Sequence, residues 1–500
     1  MAEDQRDTIA FLSDPASYGP GVADVERHET HISLVFLAGD HAFKLKRAVK
    51  YPYLDFSTAE QRRRACEAEL RLNRRTAPEL YREVRSIVRR PDGALAWGGE
   101  GDIVDWVVAM RRFDQEQLLD AVARSGGLQP QLLYALAAHI ADFHANAERR
   151  LDRGGAKAMR TIIEENDACL RAGSVGLPDR QIGELHDASV DWLQRVGDLL
   201  DRRRQQGKVR RCHGDLHLRN ICVVESRPVL FDCLEFSEEF ASIDVLYDLA
   251  FLLMDLEHRG DAAGANLVLN RYLDLTVEDD GLAAMPLFVS LRAAIRAHVA
   301  ASTGAEAGVE ARHYLDEACA ALRPPPARLI AIGGLSGTGK STIAAALATE
   351  FGARPGARVL RSDVIRKRLF GLDPESRLPA NAYEPDVTER VYAALREGAV
   401  TALQAGYCAI IDAVALKEEE RRSFAEIARR ARVQFTGLWL EAPLDALLAR
   451  VDARKHDASD ATQEIVKRQL QINPGPLDWQ RLDAGDDVTR TLAAARQALA

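Results

Sequence analysis

The stretch LIAIGGLSGTGKSTIAAALATEF, residues 329–351, constrains this chain more than any other. An apolar run of strand length leads into a glycine-rich turn, and the turn opens a helix with an apolar face. The turn fits G-x-x-x-x-G-K-[ST] through Gly334, Gly339, Lys340 and Ser341, with Ser336, Gly337, Thr338 and Thr342 completing the loop. Glycines let consecutive backbone N–H groups converge on phosphate oxygens, and the helix N-terminus adds positive potential. Lys340 then reaches the terminal phosphates and the Ser341 hydroxyl reaches a magnesium ion. A ligand-free glycine turn is the plain alternative, but the flanking strand and helix favour a loop that binds ATP with Mg²⁺.

Beyond the loop, strands and helices alternate: RVLRSD, DVIRKRLF, CAIIDA, EEERRSFAEIARRA and FTGLWLEAP. This order predicts a doubly wound parallel sheet whose chemistry gathers at the carboxyl ends of its strands. Asp363 follows the second strand, Arg366 lies one helical turn on, and Asp412 ends AIID. One carboxylate there can take the proton of an attacking hydroxyl and another can hold the metal, so Asp363 is the candidate base and Asp412 a candidate metal residue. Asp363 could equally cap the helix it precedes, and the two roles are compatible.

The segments GGLSGTGKST, SDVIRK, IIDAVALKEEER and RVDARKHDASDA resemble the small P-loop kinases that include gluconate kinase, the zeta-toxin-like kinases and the kinase domain of polynucleotide kinases. The resemblance spans 328–500. It implies Asp363 as base or hydroxyl ligand, Arg366 as a contact to a substrate anion, and Arg450 and Arg454, assisted by Lys455, as lid residues over the phosphates. Val414 departs from it, since many relatives have threonine there.

A second constellation lies upstream in RCHGDLHLRN, residues 211–220. His213, Asp215 and Asn220 are spaced as in the kinase loop H-x-D-L-x-x-x-N, and twelve residues later the apolar run PVLFD ends at Asp232. In that template Asp215 is the catalytic base, and Asn220 and Asp232 hold Mg²⁺. A zinc site built from Cys212, His213 and His217 lacks a fourth ligand and the usual spacing, so His217 reads as a loop residue. HISLVFLAGDHAFKLKRAV predicts a hairpin presenting Lys44 to the phosphates, with Lys46 the alternative on the same face. Glu69, ahead of Glu67, is the expected partner from the helix STAEQRRRACEAELRLNRR, and the backbone at Met110–Arg112 in VVAMRRFDQEQLL is the expected adenine hinge. No G-x-G-x-x-G precedes the hairpin.

These features resemble the aminoglycoside phosphotransferase-like kinases, which include choline and other small-molecule kinases, over about residues 25–300. YALAAHIADFH and DVLYDLAFLLMDLEHRG are similar to the helices those enzymes place around the catalytic segment. Asp244 and Asp248, four apart, are read on one helical face, where they aid the site or anchor a loop. Asp-Cys-Leu at 232–234 and the lack of an Ala-Pro-Glu segment argue against a protein substrate.

Prolines 324–326 in ALRPPPARLIAIGG end a helical pattern just before the apolar strand, which places a boundary near 325. The expected architecture is a bilobal, kinase-like α+β domain over 1–325 followed by an α/β P-loop domain over 326–500. This order resembles a bacterial family of two-kinase fusions. Residues 1–325 hold 41 basic against 52 acidic residues and 326–500 hold 25 against 23, so neither part has the basic excess of a general nucleic-acid binder. Seven scattered cysteines without a C-x-x-C pair, no long apolar run and a start without a signal peptide fit a cytoplasmic protein with no membrane partner.

The leading expectation is an ATP-dependent bifunctional phosphotransferase acting on hydroxyls of small molecules. Glu235, Glu238, Glu239 and Asp244 leave room for a cationic acceptor in the first domain. The alternatives are an ATP-binding regulatory protein and a nucleic-acid 5′-hydroxyl kinase using Arg366, Lys367 and Arg368.

Overall fold

Alternation of apolar residues along HISLVFLAGDHAFKLK builds the first sheet. In the computed structural model, which describes residues 3–51, 54–173, 176–302, 307–453 and 459–500, the strands β1 (Val25–Glu29), β2 (Ser33–Ala38) and β3 (His41–Lys46) run antiparallel, with Val35 opposite Lys44. The turn between β2 and β3 uses Gly39 at φ 55°, a conformation that costs glycine little. Strands β4 (Tyr81–Arg89), β5 (Leu95–Trp97) and β6 (Asp102–Arg111) complete the order β1-β2-β3-β6-β4-β5. Both faces are covered. Phe36, Phe43, Leu45, Val107 and Ala109 pack on one side, whereas Val108 and Tyr81 meet Cys66 and Leu80 on the other. Cys66 belongs to helix α1 (Ala59–Asn73), whose start is secured by a reciprocal Thr58–Gln61 capping box.

The HGDLHLRN segment follows β7 (Val209–Arg211) and leads into a hairpin of β8 (Ile221–Val224) and β9 (Arg227–Leu230). Helix α2 (Pro130–Asn146) contains YALAAHIADFH. Asp244 and Asp248 do not share a helical face. Asp244 ends β10 (Ser242–Asp244), which pairs with β7, and only Asp248 belongs to helix α3 (Val245–His258). Pairing with β7 extends the backbone at Asp244, so local i, i+4 spacing has no meaning there. Its carboxylate receives Arg203 at 2.8 and 2.9 Å and the Leu246 amide at 2.9 Å, a structural role.

Five parallel strands form the second sheet in the order β12-β13-β11-β14-β15: β11 (Arg328–Gly334), β12 (Arg358–Arg361), β13 (Ala409–Asp412), β14 (Gln434–Glu441) and β15 (Gln480–Asp483). Ile330, Ile332, Val359, Ile410 and Leu438 make its buried centre. Near-continuous apolar strands are what a parallel sheet covered on both faces requires.

The compact units do not divide at residue 325. One comprises 1–155 with 203–252, and the other comprises 156–202 with 253–500. The reason is visible at β12, an edge strand. Helix α4 (Ala262–Thr276) satisfies that edge: Asn266 and Asn270 each donate to the Ala357 carbonyl at 3.1 Å, and the Val359 amide donates to Asn270 at 2.7 Å. Arg358, 1% exposed, pairs with Asp274 at 2.7 Å and Asp279 at 2.6 Å. Helices expected to belong with the first domain thus cap the edge of the second sheet. The stretch Asp279–Ser302 is long and apolar enough to cross a bilayer by length and composition, and 72% of its apolar window is buried within the protein.

Candidate active sites

The first unit contains a cavity of about 400 Å³ lined by Lys44, Met110, Arg112, Asp215, Asn220 and Asp232 among others. All six were expected at one site from three separated segments. Asn220 Nδ2 donates to both the carbonyl and the Oδ2 of Asp215 at 2.9 Å, which orients the candidate base. The loop is held from below. The His213 and Gly214 amides donate to Asp248 at 3.1 and 2.8 Å, and His144 Nε2 lies 3.0 Å from the same carboxylate. Asp248 is therefore an anchor for the loop. Asp232 sits at φ 62°, and that left-handed backbone is pinned on both sides: its amide donates to the Tyr81 hydroxyl at 3.2 Å and the Cys233 amide to Asn73 at 2.7 Å.

Beneath the cavity lies a buried box of charge. Lys44 Nζ meets Glu69 at 2.9 Å and also pairs with Asp232. Lys46, fully buried, pairs with Glu69 and Glu235. The two lysines weighed as alternatives are both present, and they share one carboxylate. Glu67 points elsewhere, to Arg63 at 3.4 Å on the exposed helix face. Burial pushes the Glu69 carboxyl up, but Lys44 and Lys46 outweigh it and bring it below the ordinary range, to about 2. Burial also disfavours the Lys44 ammonium, yet Asp232 and Glu69 hold its pKa well above the usual value. For Glu235, burial wins over Lys46 and the pKa rises. Asp215, Asn220 and Asp232 offer oxygen ligands only, which suits Mg²⁺, and Lys44 already brings a cationic group to Asp232.

Of the carboxylates considered for a cationic acceptor, Glu235 lines this cavity; Glu238 pairs with Arg150 at 3.0 Å and Arg211 at 3.3 Å, and Asp244 is held by Arg203. Sequence reasoning missed Glu235 as the partner of Lys46, and it missed His28 and His31, which line the same cavity. The alternating pattern of β3 signalled that Lys44 and Lys46 share a face, and Glu69 was expected from the next helix, but nothing local signalled Glu235 or that Glu69 serves both lysines.

In the second unit, the phosphate loop joins β11 to helix α5 (Lys340–Ala348). Its glycines are required: Gly337 and Gly339 have φ of 92° and 89°, and a Cβ on Gly334 would lie 2.5 Å from the Leu440 carbonyl. Lys340 Nζ folds back onto the Gly334 and Leu335 carbonyls at 2.9 and 3.0 Å. Thr338 Oγ1 donates to the Leu335 carbonyl at 2.8 Å and the Thr342 amide to Gly339 at 3.1 Å, so both stabilise the loop itself. Ser341 Oγ donates to Asp412 at 2.6 Å, and Arg361 approaches both, at 3.2 Å from Ser341 and 3.5 Å from Asp412. A hydroxyl and a carboxylate brought together from the loop and a neighbouring strand again make an oxygen donor set fit for Mg²⁺.

Beside the loop, a cavity of about 280 Å³ is lined by Ser336, Asp363, Arg366, Tyr383, Ser459 and Gln469 among others. Asp363 does not cap the helix Ser362–Leu369. The N-cap is Arg361, and no side chain caps it, because the helix begins one residue before Asp363. Burial raises the Asp363 pKa, with Ser459 acting against it. Arg366 lies 5.1 Å over the Tyr383 ring and donates to the Ala382 carbonyl at 2.6 Å.

Three further expectations need correction or bounding. Arg450, expected in the lid, donates to the carbonyls of Ala484, Gly485 and Asp486 at 2.7, 2.8 and 3.3 Å, a carbonyl cluster that satisfies its planar fork. Arg454 and Lys455 lie outside the described residues. The basic trio at 366–368 is no surface patch, since Arg366 and Lys367 are buried and Lys367 donates to the Pro374 carbonyl at 2.8 Å. Gln469 was not anticipated. Its Oε1 accepts the Ser336 amide at 2.9 Å and its Nε2 donates to Ser336 Oγ at 3.1 Å, so a carboxamide covers part of the phosphate loop.

Two family models match the two parts of the chain. The model of the phosphotransferase enzyme family matches residues 53–288, and that of an AAA domain matches 329–474. Uncharacterized proteins of Mycobacterium tuberculosis and Mycobacterium bovis are 32% identical over 489 residues, covering 94% of this chain and 94% of each relative. Among solved structures, choline kinase of Cryptosporidium parvum Iowa II is similar over 63% of this chain and 94% of its own, at 11% identity and TM-score 0.42. A gluconokinase of Sinorhizobium meliloti 1021 is similar over 35% of this chain and 94% of its own, at 21% identity and TM-score 0.25. The chain belongs to the family of these mycobacterial proteins, and in it a phosphotransferase-family, kinase-like fold is followed by a P-loop kinase fold.

Proposed function

We propose that the chain is a bifunctional ATP-dependent phosphotransferase with one site in each unit, each acting on a hydroxyl of a small molecule. One observation carries the reading: a candidate base lines a cavity beside a phosphate-directed cation or loop in both units, Asp215 with Lys44 in the first and Asp363 with Ser336 in the second.

In either site the carboxylate takes the proton of the acceptor hydroxyl, that oxygen bonds to the γ-phosphorus of ATP, and the bond to the β-phosphate oxygen breaks to release ADP. In the first site Asn220 holds Asp215 in place, and Lys44, fixed by Glu69, orients the phosphates. In the second, the loop amides and Lys340 cradle them. Mg²⁺, held by Asn220 and Asp232 in the first site and by Ser341 and Asp412 in the second, would neutralise charge on the transferring phosphoryl group. Positioning and charge neutralisation supply most of the rate gain in such transfers.

The acceptors are small hydroxylated molecules. For the first site, the Glu235 carboxylate at the cavity wall supports an acceptor with a cationic amine, while its pairing with Lys46 limits the charge it can offer. Incubation with Mg-ATP and a metabolite extract, beside Asp215→Asn and Lys340→Ala variants, tests the reading by mass spectrometry. Phosphorylated products lost separately in the two variants are expected. ATP binding without any product would favour a regulatory nucleotide-binding role instead.

A further inference from the structure

In protein kinases a glycine-rich turn between the first two strands covers the ATP phosphates. This chain has no glycine between Gly21 and Gly39. Its β1–β2 turn is Thr30–Ile32, flanked by two amides that bond within the hairpin. The Thr30 amide donates to the Ser33 carbonyl at 2.9 Å, and the Ser33 amide donates to Thr30 Oγ1 at 3.0 Å. Arg47 binds the outward carbonyls, through its amide to Ile32 at 2.9 Å and its guanidinium to Thr30 at 3.2 Å. These two amides are already paired.

What it presents to the cavity instead is imidazole. His28 and His31 line the cavity that also holds Lys44, Asp215, Asn220 and Asp232. His28 Nε2 is engaged by Glu26 at 2.9 Å. His31 is held differently: its ring stacks on Tyr51, with centroids 5.2 Å apart and planes within 14°. Stacking fixes the ring plane while leaving the in-plane ring nitrogens at its edge, which is how an imidazole is set up to donate a hydrogen bond.

We infer that His31 is a phosphate-binding residue of the first site, its ring N–H donating to a terminal phosphate oxygen of ATP in place of the backbone amides of a glycine-rich turn. The inference rests on the nucleotide-site reading above and adds to it the group that closes the cavity over the phosphates. Tyr51 is then a positioning residue, acting through the His31 ring.

The test uses the full-length chain carrying Lys340→Ala, so that nucleotide bound reports the first site, with ATP and adenosine titrated by calorimetry. Adding His31→Ala should weaken ATP binding about tenfold, the scale of one lost hydrogen bond to a charged group, and leave adenosine binding unchanged. His31→Gln, which keeps an N–H donor, should recover most of the loss. Equal weakening for ATP and adenosine would make His31 a structural residue and overturn the inference, as would unchanged ATP binding. A Lys340→Ala parent that binds neither compound would overturn the first nucleotide site itself, and the role of His31 with it.

Discussion

Lys44 and Glu69 meet at 2.9 Å, and the same buried glutamate also pairs with Lys46, so one carboxylate links two ammonium groups that Asp232 and Glu235 hold from their other sides. Removing the carboxylate shared by two buried ammonium groups leaves each with one carboxylate partner in place of two. Glu69→Gln should therefore lower stability by about 3 kcal/mol in denaturant titration, and first-site turnover should fall with it. The sign of the pH effect is set by the Glu69 pKa, which is lower in the folded chain than in an unfolded one. Its stabilisation is complete above the ordinary glutamate range and disappears as pH falls toward about 2. Acid titration followed by circular dichroism should show wild type outlasting Glu69→Gln at neutral pH, with the gap closing in acid.

Asp215 is oriented by Asn220, with His217 Nε2 3.4 Å from its Oδ2, so its substitution should affect chemistry more than fold. In a Lys340→Ala background, Asp215→Asn should reduce kcat for ATP turnover by about 10²–10⁴ while ADP affinity stays near wild type. Comparable losses in both quantities would show that Asp215 shapes the nucleotide site instead.

Burial raises the Asp363 pKa above the usual aspartate range. A base must be ionised to accept a proton, so second-site activity should decline with acid at a higher pH than an ordinary aspartate would dictate. Rates measured across pH in an Asp215→Asn background should show that limb. Its persistence in Asp363→Asn protein would assign it to another group.

Gln469 grips Ser336 through two hydrogen bonds that an incoming phosphate would have to displace. Gln469→Ala should tighten ATP binding at the second site by about threefold to tenfold, since each such bond contributes on the order of 1 kcal/mol. Weaker binding in calorimetry would mean that the carboxamide assists the nucleotide.

Arg358 lies between Asp274 and Asp279 with almost no exposure. Arg358→Ala would leave both carboxylates facing a cavity, at a cost of about 3–5 kcal/mol. The same change should loosen β12, which carries Arg361 toward Ser341 and Asp412. Denaturant titration should show the stability loss, and ATP affinity at the second site should fall in parallel.

Both candidate sites were legible where the chemistry is local. A phosphate loop needs glycines, a lysine and a hydroxyl within eight residues, and a strand must feed it while a helix leaves it; each requirement is written in consecutive residues 329–351. The same holds for Asp215 and Asn220, five residues apart on one loop, and for Asp232 at the end of the next hairpin. Period-two alternation was enough to place Lys44 and Lys46 on one face of β3.

Glu69 was expected as a lysine partner, but its service to both lysines and the other partners emerged only on folding. Glu69 and Glu235 reach Lys46 from positions 23 and 189 residues away, and Gln469 reaches Ser336 across 133 residues. The same distance problem hid the edge of β12, satisfied by Asn266 and Asn270, and the pairing of β10 with β7 that removes Asp244 from a helix. Sequence determined which groups make up the two candidate sites, because backbone geometry ties them together over one turn. Only the tertiary structure decided which charges are buried, what neutralises them and which helices close the second sheet, because desolvation and pairing depend on segments that meet after folding.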